Sequence, residues 1–215
     1  MSVWGCGKDT TFIALNNSIS EKRISVASGK TEGVSATIMC GYRERDYVIN
    51  GVASELIEFC VLTFYIDGFE AYDFIKADYI LNIGLDRFTG ELELNPFDNS
   101  LVTDIGKIFN INENVMAKLQ LNGKTYKIYF SAVSSDWAVG VDEAIKIYVD
   151  TFRTELKNYV VSDKLNGEVY VKILYDTSMD EYFWHINFVT PNGVNIASVI
   201  NIHNGEVLTN NTNIF

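Results

Sequence analysis

The sequence predicts an α+β chain: an N-terminal antiparallel β-rich, sandwich-like domain, then a small domain in which one helix lies on an antiparallel sheet. Three observations lead there. Between residues 32 and 131 apolar side chains recur with a period of two and are interrupted at short spacing by Gly or Asn-Gly, the signature of short paired strands. At Val141, Ala144, Ile145, Tyr148, Val149, Phe152, Leu156 and Tyr159 the apolar spacing becomes helical, one stripe on an amphipathic helix. After Glu168 the period returns to two. The chain therefore divides into a tether or N-terminal strand at 1–31, a β-rich domain at 32–135 and an α+β domain at 136–215.

In order along the chain, the first 31 residues carry Gly7, Asn16, Asn17, Ser18 and Ser20, with one strand expected at Thr11 to Leu15. Val34, Ala36, Ile38 and Cys40 then alternate with Ser35, Thr37 and Met39, and Tyr47 to Val52 carries a turn at Asn50-Gly51. Leu56 to Ile66 is a long apolar strand that Asp67-Gly68 breaks. Phe69 to Ile75 fits neither period. Tyr79, Leu81 and Ile83 restore the alternation, and Asp86 to Leu92 reads as a turn into a short strand. Leu101 to Phe109 fits a short helix or an irregular connection, because its near-helical spacing spans too few turns to decide. Val115 to Leu121 and Tyr126 to Phe130 form a hairpin around Asn122-Gly123, residues that tolerate the positive φ of tight turns.

Behind the helix, whose first turn carries Asp142 and Glu143 at the positive end of its dipole, come the Asn166-Gly167 turn and a strand at Glu168 to Tyr175. An acidic loop, Asp176 to Glu181, follows. The final hairpin alternates Trp184, Ile186 and Phe188 with His185 and Asn187, turns at Pro191-Asn192-Gly193 and returns through Ile196, Ile200 and Ile202. A helix laid on such a sheet closes a small core.

Composition narrows the function classes. With 47% hydrophobic and 13% aromatic residues the chain of 215 residues has the material for a packed interior. Its net charge of −11, with 17 basic residues scattered among 28 acidic ones, argues against nucleic acid, whose phosphates demand clustered Lys and Arg. No apolar run approaches the ~18 residues of a membrane-spanning helix.

Chemistry-bearing constellations are sparse. His185 and His203, the two histidines, both lie opposite the apolar stripe of their strands and lack a third ligand at zinc spacing. Asp176, Asp180 and Glu181 lack the calcium-loop spacing. Cys40 or Cys60 with His185 would make a nucleophilic dyad, but both cysteines sit in strand patterns that indicate packing. Glu44 and Asp46 alternate with Arg43 and Arg45, so their charges are mutually neutralised. No phosphate-binding glycine fingerprint and no Gly-x-Ser-x-Gly elbow occurs. The sequence thus assigns no catalytic residue, no metal and no cofactor. Tyr42 and Tyr47, flanking a charged loop, and Trp137, between the two domains, are the aromatic candidates for a partner surface, with His185 and His203 on the solvent face of the last hairpin.

Two resemblances add to this. Val3-Trp4-Gly5-Cys6-Gly7 is similar to the end of a bacterial lipobox, which would place a lipid anchor on Cys6 and make that lipid the one link to a membrane. That reading requires a leader upstream of Val3. The other reading is a cytoplasmic protein in which Cys6 merely follows a glycine. The run from Val141 to Leu208, with Val169 to Ile173, Trp184 to Phe188, and Asn201 before Asn204-Gly205-Glu206-Val207-Leu208, resembles the PepSY family. Modules of that family pair a helix with a small antiparallel sheet and occur in extracytoplasmic bacterial proteins, where restraint of peptidases has been proposed. The resemblance implies a non-enzymatic extracytoplasmic binding protein whose partner is a secreted peptidase or another envelope protein. An enzyme of unrecognised type and a structural or adhesive surface component are the alternatives.

Overall fold

The computed structural model describes residues 9–44, 55–70, 72 and 76–214. In chain order its principal elements are α1 (Thr10–Asn16), β1 (Ile19–Thr31), β2 (Val34–Arg43), β3 (Ile57–Ile66), β4 (Ala77–Ile83), β5 (Asp86–Glu91), β6 (Glu93–Leu94), β7 (Leu101–Asp104), β8 (Val115–Leu121), β9 (Lys124–Ala132), α2 (Val141–Lys157), β10 (Val160–Val161), β11 (Lys164–Leu165), β12 (Glu168–Asp176), β13 (Glu181–Val189), β14 (Val194–Asn201) and β15 (Val207–Ile214). Two compact units result. One comprises the described residues of Met1–Arg23, Glu44–Leu56 and Trp137–Phe215; the other comprises Ile24–Arg43 and those of Ile57–Asp136.

The expected α+β class is overturned. Among the described residues fifteen strands stand against two α-helices, one of them only 7 residues long, so the chain is mostly β. The sandwich-like arrangement is replaced as well. In the unit of Ile24–Arg43 and Ile57–Asp136 the strands run in the order β6-β7-β3-β2-β1-β9-β8-β4-β5. Its two ends, β5 and β6, are halves of one bent strand separated only by Leu92, whose N–H donates to the Ala77 carbonyl at 2.9 Å. The sheet thereby curls into a nearly closed, barrel-like form, which leaves almost no free edge.

Local sequence explains the strands of this unit. The alternation Val34, Ala36, Ile38, Cys40 buries every second residue of β2, and Leu62 and Phe64 of β3 and Tyr79, Leu81 and Ile83 of β4 do the same. These side chains, with Ala117, Leu119 and Ile128, form one buried cluster inside the curled sheet. Asn122 and Gly123 turn the β8–β9 hairpin with φ of 48° and 80°, as their residue types predict. Leu101–Asp104 is strand rather than helix, because β7 is captured between β3 and β6. The Asp104 carboxylate ends it by accepting the N–H groups of Cys60 at 2.9 Å and Gly106 at 2.8 Å.

In the other unit, α2 buries Ala144, Ile145, Tyr148, Val149, Phe152 and Leu156, which accounts for the helical stripe. The antiparallel sheet β12–β15 carries Trp184, Ile186, Phe188, Ile196 and Ile200 as its buried residues. The Tyr148 hydroxyl donates to the Ile196 carbonyl at 2.7 Å, and the Tyr159 ring meets that of Phe188 at 5.3 Å. The sheet does not stop at β12 as a free-standing module would. The first residues of β1 add to it in parallel, Ile19 opposite Val169 and Lys22 opposite Val171. This partner lies some 150 residues away, and no local pattern specifies it. Thr11 to Leu15, expected as a strand, is helical in α1: Thr11, Ala14 and Leu15 are buried at i, i+3 and i+4, and the Asp9 side chain caps the helix by accepting from the Phe12 N–H at 3.3 Å. No helix among the described residues is long and apolar enough to cross a membrane.

Candidate functional site

Strand alternation gives β13 two faces, and both carry candidate residues. Trp184, Ile186 and Phe188 point into the core, so His185 and Asn187 point the other way. His185 stands opposite Lys172 of β12 and Val199 of β14, and Asn187 opposite Tyr170 and Ala197. Glu21 of β1 joins this face, with Arg23 Nε at 2.7 Å and Lys172 Nζ at 3.7 Å from its carboxylate. Tyr170 donates to Glu168; burial, then that carboxylate, push the phenol well above its ordinary range. The side-chain oxygens of Asn187 and Asn195 are buried without a hydrogen-bond donor. An unsatisfied group of this kind costs about 1–3 kcal/mol.

Burial lowers the pKa of His185, and the Lys172 ammonium adds to the effect. The imidazole is accordingly mostly neutral at pH 7. Because protonation is disfavoured in the folded state, His185 favours folding fully above pH 6.5, and this contribution is lost as pH falls below that value toward the lowered folded pKa. Lys172→Gln removes the positive neighbour, so the His185 pKa is expected to rise toward 6.5. A titration of the His185 ring resonances checks this, and an unchanged midpoint would show that burial acts alone.

The end of the β12–β13 pair is different in kind. Trp184 is fully buried and donates its indole N–H to the Val139 carbonyl at 2.8 Å. Trp137 meets Trp184 edge-on at 5.3 Å, Tyr182 lies 5.9 Å from Trp137, and Tyr175 lies 4.8 Å from Tyr182. Tyr175 and Tyr182 are directly opposed across the two strands. These four rings form a row that leads from the core to the surface, where Tyr175 is 47% and Met179 63% exposed. Edge-to-face and offset aromatic contacts each add about 0.5–1.5 kcal/mol beyond burial, which holds such a row in place.

The acidic loop beside this row is built by its own carboxylates. Asp176 Oδ1 accepts from Ser178 N at 2.8 Å, Ser178 Oγ at 2.6 Å and Met179 N at 3.2 Å, and the Ser178 side chain first, then the backbone donors, hold its pKa low. Tyr175 donates its hydroxyl to Asp180. His203 Nε2 stands 3.3 Å from Glu181. No group of three or more potential metal-binding side chains assembles among the described residues.

The structure therefore sets Trp137 beside Tyr182, on the side of β13 that carries Trp184, and sets His203 beside Glu181, which in the strand alternation shares the face of His185. Tyr42, half-exposed, ends the inward file of β2 opposite Glu58 in the other unit. Tyr47 and Cys6, and with them the proposed turn at Asn50-Gly51 and the lipobox-like segment, lie outside the described residues. Tyr175, Tyr182 and Met179 were not among the sequence candidates. The signal for them was the placement of two tyrosines at either end of the acidic loop, which a hairpin register brings face to face. Comparison with family models, with curated proteins and with solved structures found no match to this chain.

Proposed function

We propose that this chain is a non-enzymatic binding protein that recognises another protein through the aromatic row of Trp137, Tyr182 and Tyr175. The row itself carries the reading. Aromatic rings and a flexible methionine at the surface offer large contact area at low conformational cost, and Trp and Tyr dominate the energetics of protein interfaces. Asp180, which accepts from the Tyr175 hydroxyl, supplies a polar edge to the row. Val141 to Leu208, in its likeness to the PepSY family, supports an extracytoplasmic setting with a secreted peptidase or envelope protein as the partner. The lipobox-like stretch supports attachment through lipid on Cys6.

The test uses the full chain with the secreted peptidases and envelope fraction of its source organism. Slowing of a peptidase, or saturable binding of an envelope protein, is expected at micromolar concentration. Trp137→Ala is expected to weaken that binding roughly thirty-fold, and Tyr175→Ala, at the exposed end of the row, to weaken it in the same direction. Binding that survives both substitutions would remove the aromatic row from the interface. Absence of any effect at micromolar concentration would count against the binding role as a whole.

A further inference from the structure

We infer that Cys40 and Cys60 form a reversible cross-strand dithiol that closes to a disulfide by exchange with a small-molecule disulfide of the glutathione class. The two residues are directly opposed in the β2–β3 pair, both fully buried and both free thiols. Their pair type follows from the hydrogen bonds around them. Cys60 gives its N–H to Asp104 Oδ1 at 2.9 Å and accepts from Ile105 N at 2.9 Å, so both of its backbone groups point toward β7 and away from β2. The bond from Asp67 N to the Gly33 carbonyl at 2.9 Å gives the same phase, because pairs alternate between bonded and non-bonded along the ladder. Cys40 and Cys60 are thus a non-hydrogen-bonded pair, the kind whose Cα atoms stand only about 4.5 Å apart. That falls within the roughly 4.4–6.8 Å a disulfide spans.

The chemistry balances without metal or flavin. The Cys40 thiol gives up its proton, and its sulfur attacks one sulfur of the small disulfide, expelling a thiolate and leaving a mixed disulfide on Cys40. Cys60 then loses its proton and attacks the Cys40 sulfur, and the second small thiolate departs. Two protein thiols are oxidised, and one disulfide is reduced to two thiols. Either sulfur can take the first step, because the two thiols are equally buried and directly opposed, and the balance is the same with their roles exchanged. Access comes from the strand ends: only the pairs 41–59, 42–58 and 43–57 lie between this site and the end of the β2–β3 ladder. Opening of those pairs exposes the thiols, so exchange is expected to be slow in the native protein and set by that opening.

The experiment uses the full chain carrying Cys6→Ser, leaving these two thiols. The folded protein is equilibrated with reduced and oxidised glutathione, quenched in acid, unfolded and alkylated. Under oxidised glutathione the chain is expected to become lighter by two hydrogens and to lose both alkylation sites together. It should then yield one peptide pair linked through Cys40 and Cys60, all reversed by dithiothreitol. Retention of both alkylation sites would overturn the inference. So would accumulation of a single mixed disulfide that never closes, or closure that occurs only in urea. With Cys60→Ser added, Cys40 is expected to hold one glutathione that is never displaced within the chain, and its displacement there would overturn Cys60 as the resolving partner.

Discussion

Replacing Trp184 by alanine is expected to lower the folding stability of the protein by about 3–5 kcal/mol. Trp184 is 1% exposed and is the largest fully buried side chain among the described residues. It stands opposite Ile173 and Ile200, both themselves buried, so neither neighbour has spare volume with which to close the cavity. The indole also holds the residue that leads into α2. Its N–H binds the Val139 carbonyl, while the Val139 N–H donates to the Ile202 carbonyl at 2.9 Å, which ties the start of the helix to the end of β14. Trp184→Phe keeps much of the ring but leaves that carbonyl without its donor, and about 1–3 kcal/mol is expected for it. Urea unfolding followed by far-UV circular dichroism measures both. A shift in midpoint equivalent to less than about 1 kcal/mol for Trp184→Ala would mean that the site collapses around the missing ring.

Phe64→Ala is expected to have an effect of similar size, about 3–5 kcal/mol, for a reason that lies in the neighbouring strands. Phe64 is fully buried in the curled sheet and stands opposite Ala36 on β2 and Leu101 on β7. A large side chain beside a small one is how a narrow barrel interior is filled, so the methyl group of Ala36 cannot occupy the space that the phenyl ring leaves. Phe64→Leu retains most of the volume and should cost less than about 1.5 kcal/mol. The comparison of the two variants in the same urea experiment separates the cavity contribution from any special requirement for an aromatic ring. Equal losses for Ala and Leu would refute the volume argument.

Much of the local structure was legible in residue types and spacing. The stripe from Val141 to Leu156 had to be a helix because no other period places those side chains on one face, and its residues Ala144 to Leu156 are buried as that stripe requires. Asn122-Gly123, Pro191-Asn192-Gly193 and Asn204-Gly205 announced turns because Asn and Gly reach positive φ at little cost and Pro pre-sets the φ of a turn. Thr11 to Leu15 was misread because five residues cannot distinguish a period of two from one of 3.6, and the capping Asp9 settles the matter in favour of helix. The aromatic row was half legible: Trp137 stood out, but Tyr175 and Tyr182 acquire meaning only when the β12–β13 register places them opposite each other.

The sequence by itself determined the long helix, the Asn-Gly turns and the strands whose alternation is clean, because each of those is settled within a few residues by side-chain spacing and backbone freedom; α1, β1 and β7 were not settled in that way. Only the tertiary structure decided which strands meet. The bend at Leu92 that closes the sheet, the parallel pairing of Ile19 with Val169, and the meeting of Cys40 with Cys60 all join segments that local pattern treats as independent. An alternating strand accepts any partner that covers its apolar face and its free backbone groups. The selection among partners is made by the packing of the whole core, and that is why an α+β expectation gave way to a chain that is mostly β.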